Sequence, residues 1–371
     1  MEITSNGFKL RYKDLTIIHQ KDNPLVFCGS GKSNFQMSHG NFQITDDLFS
    51  KIPLRQFSIQ GGNIIFEDLI TLNFEESDDL LQIHFEPLDK TLNRLWVTLP
   101  LQPNEHIYGC GEQYSHFDLR GKKVPIWVSE QGVGRNKKDL ITIFADFFSN
   151  AGGDWYTTYF PQPTFVSSRQ YFCHVETSSY TIFDFTKDHL QIEIWQLPVT
   201  VKIYCAESWQ DLFAKMTTIL GRQPKIPEWI LDGVILGIQG GTQIMLEKTE
   251  KMRNKGLKIA GVWIQDWEGK RITTFGRQLM WNWQYSEELY PNLPKTIEEL
   301  QKEDVRVLGY INPFLALEGN LYTEASAKGF LVKKINGDEY RVVVTTFPAA
   351  IVDLTNPSAC EWLKNVIKKN M

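Results

Sequence analysis

The feature that most constrains this chain is a change of hydrophobic rhythm across Arg222-Gln223-Pro224-Lys225-Ile226-Pro227, where two prolines resist both a helix and a central strand. Before it, apolar residues recur with period two, as in Phe8-Lys9-Leu10-Arg11-Tyr12, Leu81-Gln82-Ile83-His84-Phe85 and Val199-Thr200-Val201-Lys202-Ile203-Tyr204. Such alternation predicts half-buried antiparallel strands. Turn formers such as Lys21-Asp22-Asn23-Pro24 and Gly61-Gly62-Asn63 punctuate them at the spacing of a β-sandwich. A single helix closes this half: Trp209, Leu212, Phe213, Met216, Ile219 and Leu220 share one face, with Ser208 and Asp211 as its start and Gly221 as its stop.

After the prolines the pattern reads strand, helix, strand: residues 232–239, a polar helix over 244–255 closed by Gly256, then 259–266. The strand starts lie roughly 27 residues apart, close to the minimum for a βαβ crossover and therefore for parallel pairing. A third strand, 306–314, follows a helix that buries Ile297 and Leu300, and the segment 351–354 precedes a helix over 357–369. The expected architecture is a multidomain β plus α/β chain, with a β-sandwich over 1–221 and the first part of a (β/α)8 TIM barrel over 222–371. Three or four βα units are too few to close a barrel of eight.

A length of 371 residues leaves room for two cores, and 42% hydrophobic with 22% charged residues describes a soluble globular protein. A net charge of -5 without a basic stripe excludes a phosphate backbone, so no nucleic acid is expected as partner. The five cysteines are odd in number and lack a CxxC pair, and none of the seven histidines stands in an HExxH spacing. Reduced thiols and no metal are expected. Residues 1–6 carry no leader-like pattern and no apolar run reaches bilayer length, which predicts a cytoplasmic protein with no membrane partner.

In barrels and open α/β sheets, ligands gather at the carboxyl ends of the strands, where rigid strands carry variable loops. The three expected strands end in Ile238-Gln239-Gly240-Gly241, Ile264-Gln265-Asp266-Trp267 and Ile311-Asn312-Pro313-Phe314. Amides offer donor and acceptor together, as a hydroxyl-rich ligand requires, and Asp266 is expected to accept from a sugar hydroxyl. The long connection that follows carries Trp267, Phe275, Trp281, Trp283 and Tyr285 beside Lys270, Arg271 and Arg277. Cations and indole N–H groups on one loop suit an anionic substituent, with aromatic faces bounding the ring. A second glycine-rich region, 108–135, contains Gly132-Val133-Gly134 but neither the helix nor the Lys-Ser/Thr ending of a phosphate loop.

Taken together, these segments resemble glycoside hydrolase family 31. The general likeness lies in Gly109-Cys110-Gly111-Glu112, Pro227-Glu228-Trp229 and Val352-Asp353-Leu354-Thr355-Asn356-Pro357. The likeness to its sulfoquinovosidase branch lies in Gly152-Gly153-Asp154, Phe160-Pro161-Gln162-Pro163-Thr164, Gly237-Ile238-Gln239-Gly240-Gly241 and Met280-Trp281-Asn282-Trp283. The resemblance implies a galactose-mutarotase-like sandwich before the barrel, hydrolysis of α-glycosides of the 6-sulfonated glucose sulfoquinovose, and no cofactor. By motif, Gln239 and Gln265 match glutamines near the sulfosugar, and Trp281 matches the tryptophan whose indole meets the sulfonate. The family's sulfonate-binding arginine falls where this chain has Gln278, and a one-residue slip would let Arg277 serve instead. Both catalytic aspartates are expected beyond Met371, so the chain alone is expected to be inactive.

Two further readings stay open at this point: a family 31 α-glucosidase acting on neutral sugars, and a carbohydrate-binding protein without catalysis. A sugar epimerase using the sandwich alone would require a His/Glu acid-base pair in the sandwich cleft.

Overall fold

Two consecutive strands, His189–Ile194 and Val199–Cys205, show how the alternation becomes a core. Leu190, Ile192 and Ile194 on the first, and Val199, Val201, Ile203 and Cys205 on the second, are all buried and join one apolar cluster. The two strands lie in different sheets, the first in a six-stranded and the second in an eight-stranded one. Each sheet therefore turns one apolar face toward the other, and Phe183, Leu95 and Val97 meet Phe85, Phe165 and Ile83 in the shared interior. Neighbouring strands in both sheets pair antiparallel, for example Leu95↔Ile194 and Val199↔Phe85.

The structure, a computed structural model, describes residues 2–4, 6–38, 40–273, 276–334, 336–344 and 347–370. The chain divides into two compact units, 1–222 and 223–371. In the first, the expected helix forms as Trp209–Leu220, with the Ser208 hydroxyl accepting the Asp211 N–H at its start. Only Leu212 of its apolar stripe is fully covered, while Trp209 and Phe213 remain 37% and 47% exposed. A second helix, Leu140–Ser149, was not expected; its polar Thr142 and Asp146 are the more buried side, while Ile141, Phe144, Phe147 and Phe148 stay exposed, the reverse of the usual pattern.

In the second unit, β1 (Val234–Ile238), α1 (Thr242–Arg253) and β2 (Ile259–Ile264) make the expected right-spaced crossover. A hairpin follows, β3 (Lys270–Thr273) and β4 (Gly276–Leu279), then α2 (Leu293–Lys302) and β5 (Arg306–Gly309). Strands β1, β2 and β5 form a parallel sheet with β2 in the middle. Val262 and Ile264 on β2 pack with Met245 of α1 and Leu300 of α2 in one core. Beyond β5 come β6 (Phe314–Ala316), α3 (Asn320–Ala327), β7 (Arg341–Val344), β8 (Phe347–Ile351) and α4 (Pro357–Asn370).

The segment 351–354, which precedes the last helix, lies at the end of a strand and in a turn. Strand β8 ends at Ile351 and pairs antiparallel with β6 and β7 outside the parallel sheet. Asp353 then turns the chain, its Oδ1 accepting from the Thr355 N–H at 3.0 Å, and Asn356 Oδ1 takes the Ser358 N–H at the start of α4.

Candidate active site

Strands β1 and β2 lie side by side and in parallel, so Gln239 and Gln265, each one residue past its strand, emerge together. The Gln239 Nε2 donates to Gln265 Oε1. Gln239 is exposed and Gln265 half-buried, which leaves one carbonyl oxygen and further N–H groups of the pair open to a ligand.

The turn behind Gln239 depends on glycine. Gly241 has φ +94°, and a Cβ there would sit 2.5 Å from the Leu289 carbonyl oxygen, which also accepts the Thr242 N–H at 2.9 Å. This close approach ties the start of α1 to the segment before α2.

Asp266 is placed differently from the sequence expectation. It is 1% exposed, and its oxygens meet protein donors: Oδ2 accepts from the Gly240 N–H at 2.9 Å and from Lys270 Nζ at 2.7 Å, and Oδ1 from the Tyr290 hydroxyl. Buried polar groups need such partners, and through these donors the side chain organises the strand ends from beneath. Burial of the Tyr290 phenol, and then its hydrogen bond to Asp266, raise it well above its ordinary range.

Glu268 was missed by sequence reasoning. It is 8% exposed, and its Oε2 accepts the backbone N–H groups of both Asn282 and Trp283, where Trp283 takes a left-handed φ of 53°. Burial raises its carboxyl to about 7 although the two N–H groups pull the other way. The only available signal was an acid flanked by Trp267 and a glycine on a loop rich in aromatics.

The long connection after Asp266 is itself folded, as the β3–β4 hairpin. Trp267 is buried and its indole donates to the Tyr310 carbonyl at 2.7 Å, while Phe275 lies outside the described residues. Trp281 is 6% exposed and packs on Phe314 and Phe347, at ring distances of 5.1 and 5.3 Å, and its buried Nε1 has no partner among the described residues. Its carbonyl accepts the Ala316 N–H at 2.8 Å, which fixes it to β6. Gln278 is half-buried on β4, and Arg277 is exposed.

The hairpin register decides between these two positions. Gln278 pairs with Arg271 and Arg277 with Ile272, and the two pairs leave opposite faces. Ile272 is 88% exposed, so Arg277 shares the solvent face and does not reach the place of Gln278 by a one-residue slip.

The structure thus joins Gln239 and Gln265 directly and links them to the hairpin through Gly240, Asp266 and Lys270. The cavity of about 630 Å³ on this unit, lined by Ile264, Trp267, Tyr285, Leu293, Ile297 and Val307, holds none of the six expected site residues. Gln284, Glu287, Lys369 and Asn370 line it as well. In the first unit, a cavity of about 430 Å³ is lined by Asn41, Trp127, Lys137, Asp154 and Tyr180 among others, with no His or Glu among the lining residues. That lining gives no support to an epimerase reading.

Comparison with known proteins matches residues 1–184 to the glycosyl hydrolase 31 N-terminal galactose mutarotase-like domain and residues 224–371 to the glycosyl hydrolases family 31 TIM-barrel domain. The chain belongs to glycoside hydrolase family 31. Within that family it is 46% identical to a sulfoquinovosidase of Escherichia coli, covering 99% of this chain and 56% of that protein. A sulfoquinovosidase of Agrobacterium fabrum is 38% identical, over 100% of this chain and 56% of its own length. A solved family 31 sulfoquinovosidase from E. rectale, in complex with the aza-sugar inhibitor IFGSQ, superposes with a TM-score of 0.90 at 40% identity, again over 100% of this chain and 56% of that one. The chain spans about half the length of the relatives it matches. The mutarotase-like sandwich and the opening of a TIM barrel are the fold that the family 31 resemblance implied.

Proposed function

We propose that this chain supplies the sandwich and the first barrel strands of a retaining α-glycoside hydrolase of the sulfoquinovosidase type, whose substrate is an α-sulfoquinovoside. The observation that carries the proposal is the Gln239–Gln265 pair at the tips of adjacent parallel strands, held from beneath by Asp266. An amide pair presents donors and acceptors to neighbouring hydroxyls of a pyranose, and neither residue has to move to do so. The identity to two sulfoquinovosidases over the whole chain supports the choice of sugar.

Retaining hydrolysis needs two carboxyl groups about 5–5.5 Å apart, one as nucleophile and one as acid/base. The acids near the strand ends are already engaged: Asp266 by three donors, Glu268 by two backbone N–H groups, and Asp353 by the Thr355 N–H and hydroxyl. In this reading residues 1–371 bind and orient the sugar, and the nucleophile and acid/base belong to the part of the enzyme beyond Met371. Five free cysteines, four of them buried, fit a reducing compartment and hence a cytoplasmic address.

Gln278 favours one second reading, a family 31 enzyme for neutral α-glucosides, since a neutral amide has no charge to offer an anion. A chimaera in which the remainder of the E. coli sulfoquinovosidase follows residue 371 separates the two. Faster cleavage of an aryl α-sulfoquinovoside than of the matching aryl α-glucoside is expected, and the reverse preference would refute the sulfosugar assignment.

A further inference from the structure

Arg271 stands directly across the β3–β4 hairpin from Gln278 and leaves the same face. Its side chain is 12% exposed, and its guanidinium lies over the Phe347 ring, 4.2 Å from the centroid. Trp281 packs on the same Phe347 ring, with centroids 5.3 Å apart. One phenyl ring thus contacts both a cation and an indole.

Both groups carry an unsatisfied donor. The Arg271 Nε and the Trp281 Nε1 are buried and have no hydrogen-bond partner among the described residues. On the guanidinium, Nη1 donates to Glu318 Oε1 at 3.1 Å, whereas Nη2 meets only the Met280 sulfur at 3.4 Å. The edge formed by Nε and Nη2 is one of the two forks by which a guanidinium grips an oxyanion, and no oxygen of the described residues hydrogen-bonds to it. Buried N–H groups are normally paired, so two unpaired donors around one ring mark a place for an acceptor with several oxygens.

We propose that Arg271 is the residue that reads the anionic substituent of the sugar, its Nε/Nη2 edge and the Trp281 indole together holding a sulfonate; this rests on the sulfosugar reading above. The charge is supplied from the strand opposite Gln278, which explains how a neutral residue is tolerated there. Glu318, with its side chain 64% exposed, balances the guanidinium from the far edge and competes with the ligand for its charge.

The test is calorimetric titration of the 371-residue chain with sulfoquinovose and with glucose. The unchanged chain is expected to bind sulfoquinovose at least about tenfold more tightly than glucose. Arg271→Met removes this preference while leaving the glucose affinity in place, Arg271→Lys restores part of it, and Arg277→Met leaves it intact. Glu318→Gln widens the preference, because a competing carboxylate is gone. A folded Arg271→Met chain that keeps its preference overturns the assignment to Arg271 and leaves the sulfosugar reading standing. An unchanged chain with no preference sinks both. Should Arg271→Met not fold, a Glu318→Gln preference that is equal or smaller overturns the assignment.

Discussion

Lys270 Nζ lies 2.7 Å from Asp266 Oδ2, with the carboxylate side chain fully buried and the lysine 17% exposed. This pair joins the end of β2 to the start of the β3–β4 hairpin, and the same carboxylate fixes Gly240 at the end of β1. Two strand tips and the hairpin are therefore set by one side chain that a ligand does not need to touch.

Replacing Asp266 by Ala leaves the Lys270 ammonium, the Tyr290 hydroxyl and the Gly240 N–H without their acceptor. A loss of about 3 kcal/mol in the stability of the second unit is expected. Urea unfolding followed by near-ultraviolet circular dichroism measures it, and a loss below about 1 kcal/mol would mean that water readily replaces the carboxylate.

Gln239→Ala and Gln265→Ala act at the ligand instead. Because Gln239 is exposed and Gln265 half-buried, each change should alter stability by no more than about 0.5 kcal/mol. Sugar affinity should fall about tenfold for each, the order expected when a positioned polar contact is removed. The double variant should lose less than the sum of the two, since the amides bond to one another.

Glu268 makes stability depend on pH in a definite direction. Its carboxyl is raised in the folded chain to about 7 from an ordinary 4.5, so between these values the folded state holds a proton that the unfolded state has released. Its contribution is complete below about pH 4.5, declines as pH rises, and is gone above about pH 7. The total change is at most about 3 kcal/mol. Glu268→Gln keeps an acceptor for the Asn282 and Trp283 N–H groups without the titration, so its melting temperature should fall less between pH 5 and pH 8 than that of the unchanged chain. Parallel curves for the two proteins would show that Glu268 ionises normally.

The 371-residue chain should show no turnover of an aryl α-sulfoquinovoside above a heat-denatured control, because the carboxylates near its strand ends are bound to protein donors. Sustained release of the aryl group would place a nucleophile within residues 1–371.

The architecture was legible where local pattern and burial agree. Alternation at residues 189–205 specifies which side chains meet the core, and the spacing of β1 and β2 specifies parallel neighbours, so Gln239 and Gln265 could be set side by side before any coordinates. What the sequence did not disclose depends on contacts between distant segments. Nothing local marks Asp266 as buried under Gly240, or Glu268 as the acceptor for two backbone N–H groups fourteen and fifteen residues onward. The helix Leu140–Ser149 escaped for another reason: it covers Thr142 and leaves its apolar side exposed, so its pattern does not read as a core-facing stripe. The hairpin register, which sends Arg277 outward and Arg271 inward, is a property of pairing rather than of either strand alone.

The most direct test of the account is a crystal structure of the chain grown with sulfoquinovose. Ring hydroxyls within about 3.2 Å of the Gln239 and Gln265 amides, with the sulfonate toward the Trp281 indole, are the predicted result. A sugar found only on the sandwich, or bound with neither glutamine in contact, would contradict it.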